Sequence, residues 1–84
     1  MTRVKLTNVQ TFPSAEPTKE QALKVLEEAA EVVEAFKRGE DANEEIADTI
    51  QASCNLASAL GVTDLTPYLA QCEERNRRRG RYDR

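Results

Sequence analysis

The chain has 84 residues, sets 12 basic against 15 acidic side chains for a net charge of −3, and contains no histidine. It is one small domain at most, and without an imidazole there is no Ser-His-Asp triad, no Cys-His pair and no histidine metal cage. So short a chain buries only a little over ~60% of its unfolded surface, a deficit that oligomerisation or a bound ion would make up.

Residues 1–14 lack helical periodicity. Val4 and Leu6 alternate with polar residues, and Val9 and Phe12 follow, which predicts a short strand or an extended arm. Pro13 and Pro17 then punctuate the chain.

A helix is expected from near Thr18, whose pairing with Gln21 has the pattern of a capping box, with Ser14 an alternative cap beside Pro17. Ala22, Val25, Leu26, Ala29, Val32, Val33 and Phe36 recur at three- and four-residue spacing, and Leu23 and Ala30 widen the apolar face. Lys37 and Arg38 suit its C-terminus and Gly39 its stop. A second helix is expected from Asp41–Asn43, with Asp41 and Glu44 as another capping box. Its stripe is Ile46, Ala47, Ile50, Cys54, Ala57 and Leu60, broadened by Ala52, Leu56 and Ala59, and Gly61 ends it. A third helix is expected from Thr63 or Asp64, with Pro67 in its first turn. Leu65, Tyr68, Leu69 and Cys72 form its apolar side, and Gly80 stops it.

Three helices on short connections predict an all-α, antiparallel helical bundle with an N-terminal extended arm. The domain spans residues 18–80, between an arm at 1–17 and a frayed tail at 81–84. A helix in a monomeric bundle needs one apolar face, and the first two helices carry more than one. The expected product is a homodimer or homotetramer, its bundle completed by oligomerisation.

The longest apolar runs are a few residues, far short of the ~20 that span a bilayer, and the N-terminus has no apolar h-region. No membrane partner is expected. Cys54 and Cys72 lack metal-ligand spacing and read as reduced thiols of a cytoplasmic protein. Aromatic residues make up only 5% of the chain, which argues against a base-stacking platform for a nucleic acid polymer.

The charge is strongly segregated: +1 over residues 1–17, −6 over 18–61 and +2 over 62–84. Within the acidic centre, the first helix holds Glu27-Glu28-Ala29-Ala30-Glu31 and the second Glu44-Glu45-Ile46-Ala47-Asp48. Residues three apart share a helix face, so Glu28 with Glu31, and Glu45 with Asp48, converge if the helices are antiparallel neighbours. Acids beside the apolar stripes repel one another and resist desolvation, a penalty that a hard cation such as Mg²⁺ removes. The competing reading is a solvated acidic surface. Asn55, seven residues beyond Asp48, returns to nearly the same face and could bind a ligand or simply hydrogen-bond in the core. In Glu73-Glu74-Arg75-Asn76-Arg77-Arg78-Arg79, the guanidinium groups suit a polyphosphate, or else merely complement the helix dipole; nucleic-acid contact is a further reading, weakened by the acidic centre and the scarcity of aromatics.

These residues resemble the MazG-like, all-α nucleoside triphosphate pyrophosphohydrolases, whose pattern is E-E-x-x-E, then E-E-x-x-D, with an Asn seven residues on. Gly61-Val62-Thr63-Asp64 and the Arg75–Arg79 stretch are also similar to that family, so the likeness runs from Ala22 to Arg79. The resemblance implies a Mg²⁺-dependent hydrolase that cleaves a nucleoside triphosphate between the α- and β-phosphates. It implies Glu28, Glu31, Glu45 and Asp48 as metal ligands. Asn55, Arg75, Asn76 and Arg79 would contact the nucleotide, and Glu27, Glu28 or Glu31 would take a proton from water. A related branch acts on phosphoribosyl-ATP; the Arg-Asn-Arg-Arg-Arg ending favours the MazG-like one. The alternative is a non-catalytic helical oligomerisation or protein-interaction module.

Overall fold

The computed structural model describes residues 2–83; Met1 and Arg84, the outer ends of the expected arm and tail, lie outside it. Three helices follow in order: α1 (Lys19–Lys37), α2 (Asn43–Ala59) and α3 (Thr66–Arg78). There is no strand among the described residues, and residues 2–17, the arm, hold no helix and turn at Pro13 and Ser14.

The helix ends show which local signals decide. Thr18 caps α1, its hydroxyl accepting the Gln21 backbone N–H at 3.2 Å. The reciprocal half of that box is not made, because the Gln21 side chain turns inward and donates to the Ala52 carbonyl of α2. The expected Asp41–Glu44 box does not form either: Ala42 is the cap residue, and Asp41 accepts the Asn43 N–H in a tight turn. Helix α3 starts at Thr66, later than Thr63 or Asp64, because Asp64 folds its carboxylate back onto the Thr66 N–H.

At the C-terminus of α1, Gly39 adopts φ 71°, a left-handed conformation that side chains with a Cβ resist. That turn lets the Glu40 N–H close onto the Ala35 carbonyl at 3.0 Å and aims the chain back along α1. Gly61 does the same for α2, where Val62 donates to Ala57.

The reversal at Gly39 makes α1 and α2 an antiparallel hairpin, and they are the one helix pair in contact among the described residues. Their shared line is narrow. On α1 it runs through Gln21, Val25, Glu28, Val32 and Ala35, and on α2 through Glu45, Thr49, Ala52 and Leu56, at the three- and four-residue steps of one helix face. Small side chains let the backbones approach, and the buried apolar residues are Ala35 and Ala52 alone among those described.

This corrects the expected three-helix bundle. Helix α3 packs on neither α1 nor α2; the arm bridges it to the body. Arg3 pairs with Glu73 of α3 at 3.1 Å, and Leu6 and Val9 line one depression with Ile50 of α2 and Leu69 of α3. The physical reason is composition: past Cys72, α3 presents charges and one asparagine, with no apolar side to bury. The molecule is correspondingly open, 42 × 35 × 22 Å.

Candidate functional site

A depression of about 490 Å³ lies where the arm crosses the α1–α2 hairpin, a volume within the ~300–1,000 Å³ of small-molecule sites. Lys24 and Glu28 face it from α1, Asp48, Gln51 and Asn55 from α2, and Phe12 and Ser14 from the arm. Helical spacing explains the set. Glu28 lies one turn beyond Lys24, and Asp48, Gln51 and Asn55 follow one another at three- and four-residue steps. Antiparallel pairing then sets the middle of α1 against the first half of α2.

Of the four expected metal ligands, the fold thus brings Glu28 and Asp48 to one depression. Glu31, exposed one turn further along α1, does not line it, nor does Glu45. Glu45 is half-buried on the inter-helix line, and its Oε2 is buried with no hydrogen-bond partner among the described residues. A buried carboxylate oxygen without a donor carries a full desolvation cost, the kind of defect a bound cation cures. The donor set also suits a hard ion, since every candidate ligand is an oxygen. As the side chains stand, however, no three acidic or thiol groups among the described residues are close enough together to hold a metal. Glu27 is exposed on a different face of α1 from Glu28.

Asn55 is 3% exposed, and its Oδ1 is occupied twice, by the Phe12 N–H at 3.0 Å and by Gln51 Nε2 at 3.0 Å. It therefore fastens the arm. The same Gln51 amide donates to the Gln10 carbonyl, and Thr11 bonds Ser58. Gln51, Asn55 and Ser58 make a polar stripe on α2 that stitches down residues 10–12, forming one wall of the depression. Sequence reasoning singled out Asn55 and missed Gln51, Ser58 and Lys24. The signal was present as polar residues repeating at three- and four-residue steps from Asp48.

The arginine end lies elsewhere. Arg75 on α3 and Arg79 at its C-cap are exposed, and none of Arg75, Asn76 and Arg79 lines the depression. Asn76 donates to Cys72 Sγ at 3.5 Å. Arg77 pairs with Glu73 and Glu74 and sits over the Tyr82 ring, and Arg78 pairs with Glu74. Among the described residues, Arg75 and Arg79 join no ion pair. The basic side chain that does face Glu28 and Asp48 is Lys24.

No described helix is long and apolar enough to cross a membrane. Comparison with protein-family models, curated proteins and solved structures finds no match.

Proposed function

We propose that the chain is a Mg²⁺-dependent nucleotide pyrophosphohydrolase of the MazG-like kind, cleaving a nucleoside triphosphate to the monophosphate and pyrophosphate. The observation that carries the reading is the meeting of Glu28 and Asp48, one from each acidic motif, in a single depression of nucleotide-compatible size. The orphaned Oε2 of Glu45 supports it further.

In this reading Glu28, Glu31, Glu45 and Asp48 hold the metal. When bound, the ion supplies charge neutralisation on the phosphate oxygens and a more acidic water. Water attacks the α-phosphorus, the bond from that phosphorus to the oxygen bridging to the β-phosphate breaks, and pyrophosphate leaves with the bond electrons. An acid of the first motif, Glu27, Glu28 or Glu31, takes the proton from the attacking water. Lys24 steadies the phosphates from α1 as a point charge. Arg75, Asn76 and Arg79 would act on the substrate only if a second chain brings them to the depression, and the reading includes a homodimer or homotetramer. The unpaired thiols Cys54 and Cys72 suit a cytoplasmic setting.

The test is to incubate the purified protein with a nucleotide panel and Mg²⁺ and to measure monophosphate and pyrophosphate. Turnover that disappears in folded Glu45→Gln and Asp48→Asn proteins supports the reading. Absence of turnover on every nucleotide, together with absence of Mg²⁺ binding, overturns it.

A second reading, a non-catalytic oligomerisation or protein-interaction module, is favoured by the large apolar side chains left in solvent, such as Leu26 at 66% and Phe36 at 78% exposure. A partner whose binding survives both substitutions, with no turnover by the parent protein, would select it.

A further inference from the structure

The single chain exposes far more surface than its size warrants. A folded monomer of 9.4 kDa should expose about 5,000 Å², whereas this chain exposes 7133 Å². Its radius of gyration is 14.6 Å against about 12 Å expected for 84 residues. The excess, about 2,100 Å² per chain, is well above the ~800 Å² that each partner contributes to a standard interface, and suits an obligate one.

The excess has a location. Helix α1 carries two apolar faces, and only one meets α2. The other, about 160° round the helix, is Leu23, Leu26, Ala30 and Val33, with Leu26 66% and Val33 55% exposed. Glu20, Glu27 and Glu34 run beside this second face at seven-residue steps, forming an acidic rail along one edge; Glu34 also pairs with Lys37 at 3.6 Å, and Lys19 and Lys37 mark the two ends of the face. Two copies of this face meeting antiparallel would set rail against rail, and like charges facing each other repel.

A basic counterpart exists in the same sequence. Helix α3 rests on the arm through the side that carries Leu69 and Glu73. A different side, with Tyr68, Arg75 and Arg79 within about 40° of one another, faces solvent. Tyr68 is 56% exposed there, and neither arginine has an ion-pair partner among the described residues. An aromatic anchor with flanking arginines is the composition enriched at protein interfaces.

We infer that two copies of this chain associate reciprocally, the outward side of α3 from each lying on the outer face of α1 of the other. Tyr68 enters the Leu23–Leu26 seam, and Arg75 and Arg79 meet the glutamate rail at Glu27 and Glu34. Each copy gives one helix and receives one, so the assembly closes with two-fold symmetry. The inference rests on the self-association included in the proposed function; in this arrangement Arg75, Arg79 and Glu27 are engaged at the interface, which leaves Glu28 or Glu31 to take the proton and Lys24 to meet the phosphates, and the test separates the two readings.

The experiment is sedimentation equilibrium on the parent chain, on Glu27→Lys/Glu34→Lys, on Arg75→Glu/Arg79→Glu, and on an equimolar mixture of the two variants. The expected result is a parent mass of two chains or more. Each variant alone should dissociate at least tenfold more readily, and the mixture should recover the parent behaviour, because reversed charges again face opposite ones. All four sites are exposed, so circular dichroism should show parental helicity; should either variant lose it, Tyr68→Ser gives the same readout without a charge change. A monomeric parent overturns the inference and the self-association together. A parent oligomer that both variants and Tyr68→Ser leave intact overturns the docking alone.

Discussion

The backbone N–H of Phe12 donates to the side-chain Oδ1 of Asn55 across 43 residues of sequence, at 3.0 Å, and that bond fixes where the arm crosses the hairpin. Because Asn55 is 3% exposed, water does not readily replace it. Asn55→Ala removes the acceptor for both Phe12 and Gln51. The expected loss is about 0.5–1.5 kcal/mol of unfolding free energy for each of these part-buried hydrogen bonds. Urea denaturation measures it, and amide exchange at Phe12 should accelerate by more than exchange within α1.

Glu45 should reveal itself through metal-linked stability. A ligand at a hundred times its dissociation constant stabilises the folded state by about 2.7 kcal/mol. Thermal unfolding of the parent protein should therefore shift upward with Mg²⁺. Glu45→Gln should start no lower than the parent in metal-free buffer, since the change removes a desolvated, partnerless charge, and should respond less to the ion.

Asp64 makes the start of α3 sensitive to acid. Hydrogen bonding from the Thr66 side chain, and then from the Thr66 backbone N–H, holds its carboxyl below the usual aspartate range. The folded value is the lower one, so the stabilisation is fully present above the unfolded aspartate value and fades as pH falls through the folded one. An NMR titration should find the Asp64 carboxyl and the Thr66 amide moving together, with a midpoint below that of a free aspartate. In Asp64→Ala the Thr66 amide should lose that response.

Gly39→Ala should destabilise by about 1–2 kcal/mol, the cost of a left-handed conformation for a residue with a Cβ. No atom stands within 4 Å of the added methyl, so the effect is one of backbone alone. Differential scanning calorimetry would register it as a lower midpoint with helicity retained below the transition.

The contrast between these sites marks what the linear sequence discloses. The stops at Gly39, Gly61 and Gly80, the Thr18 cap and the spans of α1 and α2 depend on residues within one or two turns, and all were legible. That Glu28 and Asp48 line one depression follows from periodicity and a short connection, but the expected convergence of Glu31 and Glu45 with them is not seen there. The course of the arm was not legible: its bonds join backbone groups of Gln10 and Phe12, which every residue has, and the Thr11 hydroxyl to polar side chains 41 to 47 positions away. Nor was the isolation of α3, because an apolar residue in a sequence does not disclose which surface will cover it. The capping box at Asp41 failed for a local reason, the competing bond from the Asn43 N–H to the Asp41 carboxylate.

The polar stitching of the arm also sets a hierarchy of opening. Gln51, Asn55 and Ser58 hold residues 10–12 from one side, while the α1–α2 hairpin keeps its own backbone bonds and its alanine contacts whether or not the arm is seated. Lifting the arm breaks a few side-chain bonds and parts Leu6 and Val9 from Ile50 and Leu69, whereas melting the hairpin breaks two helices. The arm is therefore a separate cooperative unit with a smaller opening free energy than the body. In an exchange experiment its amides would report frequent local excursions, and the wall that Phe12 and Ser14 give the depression would come and go on that faster clock.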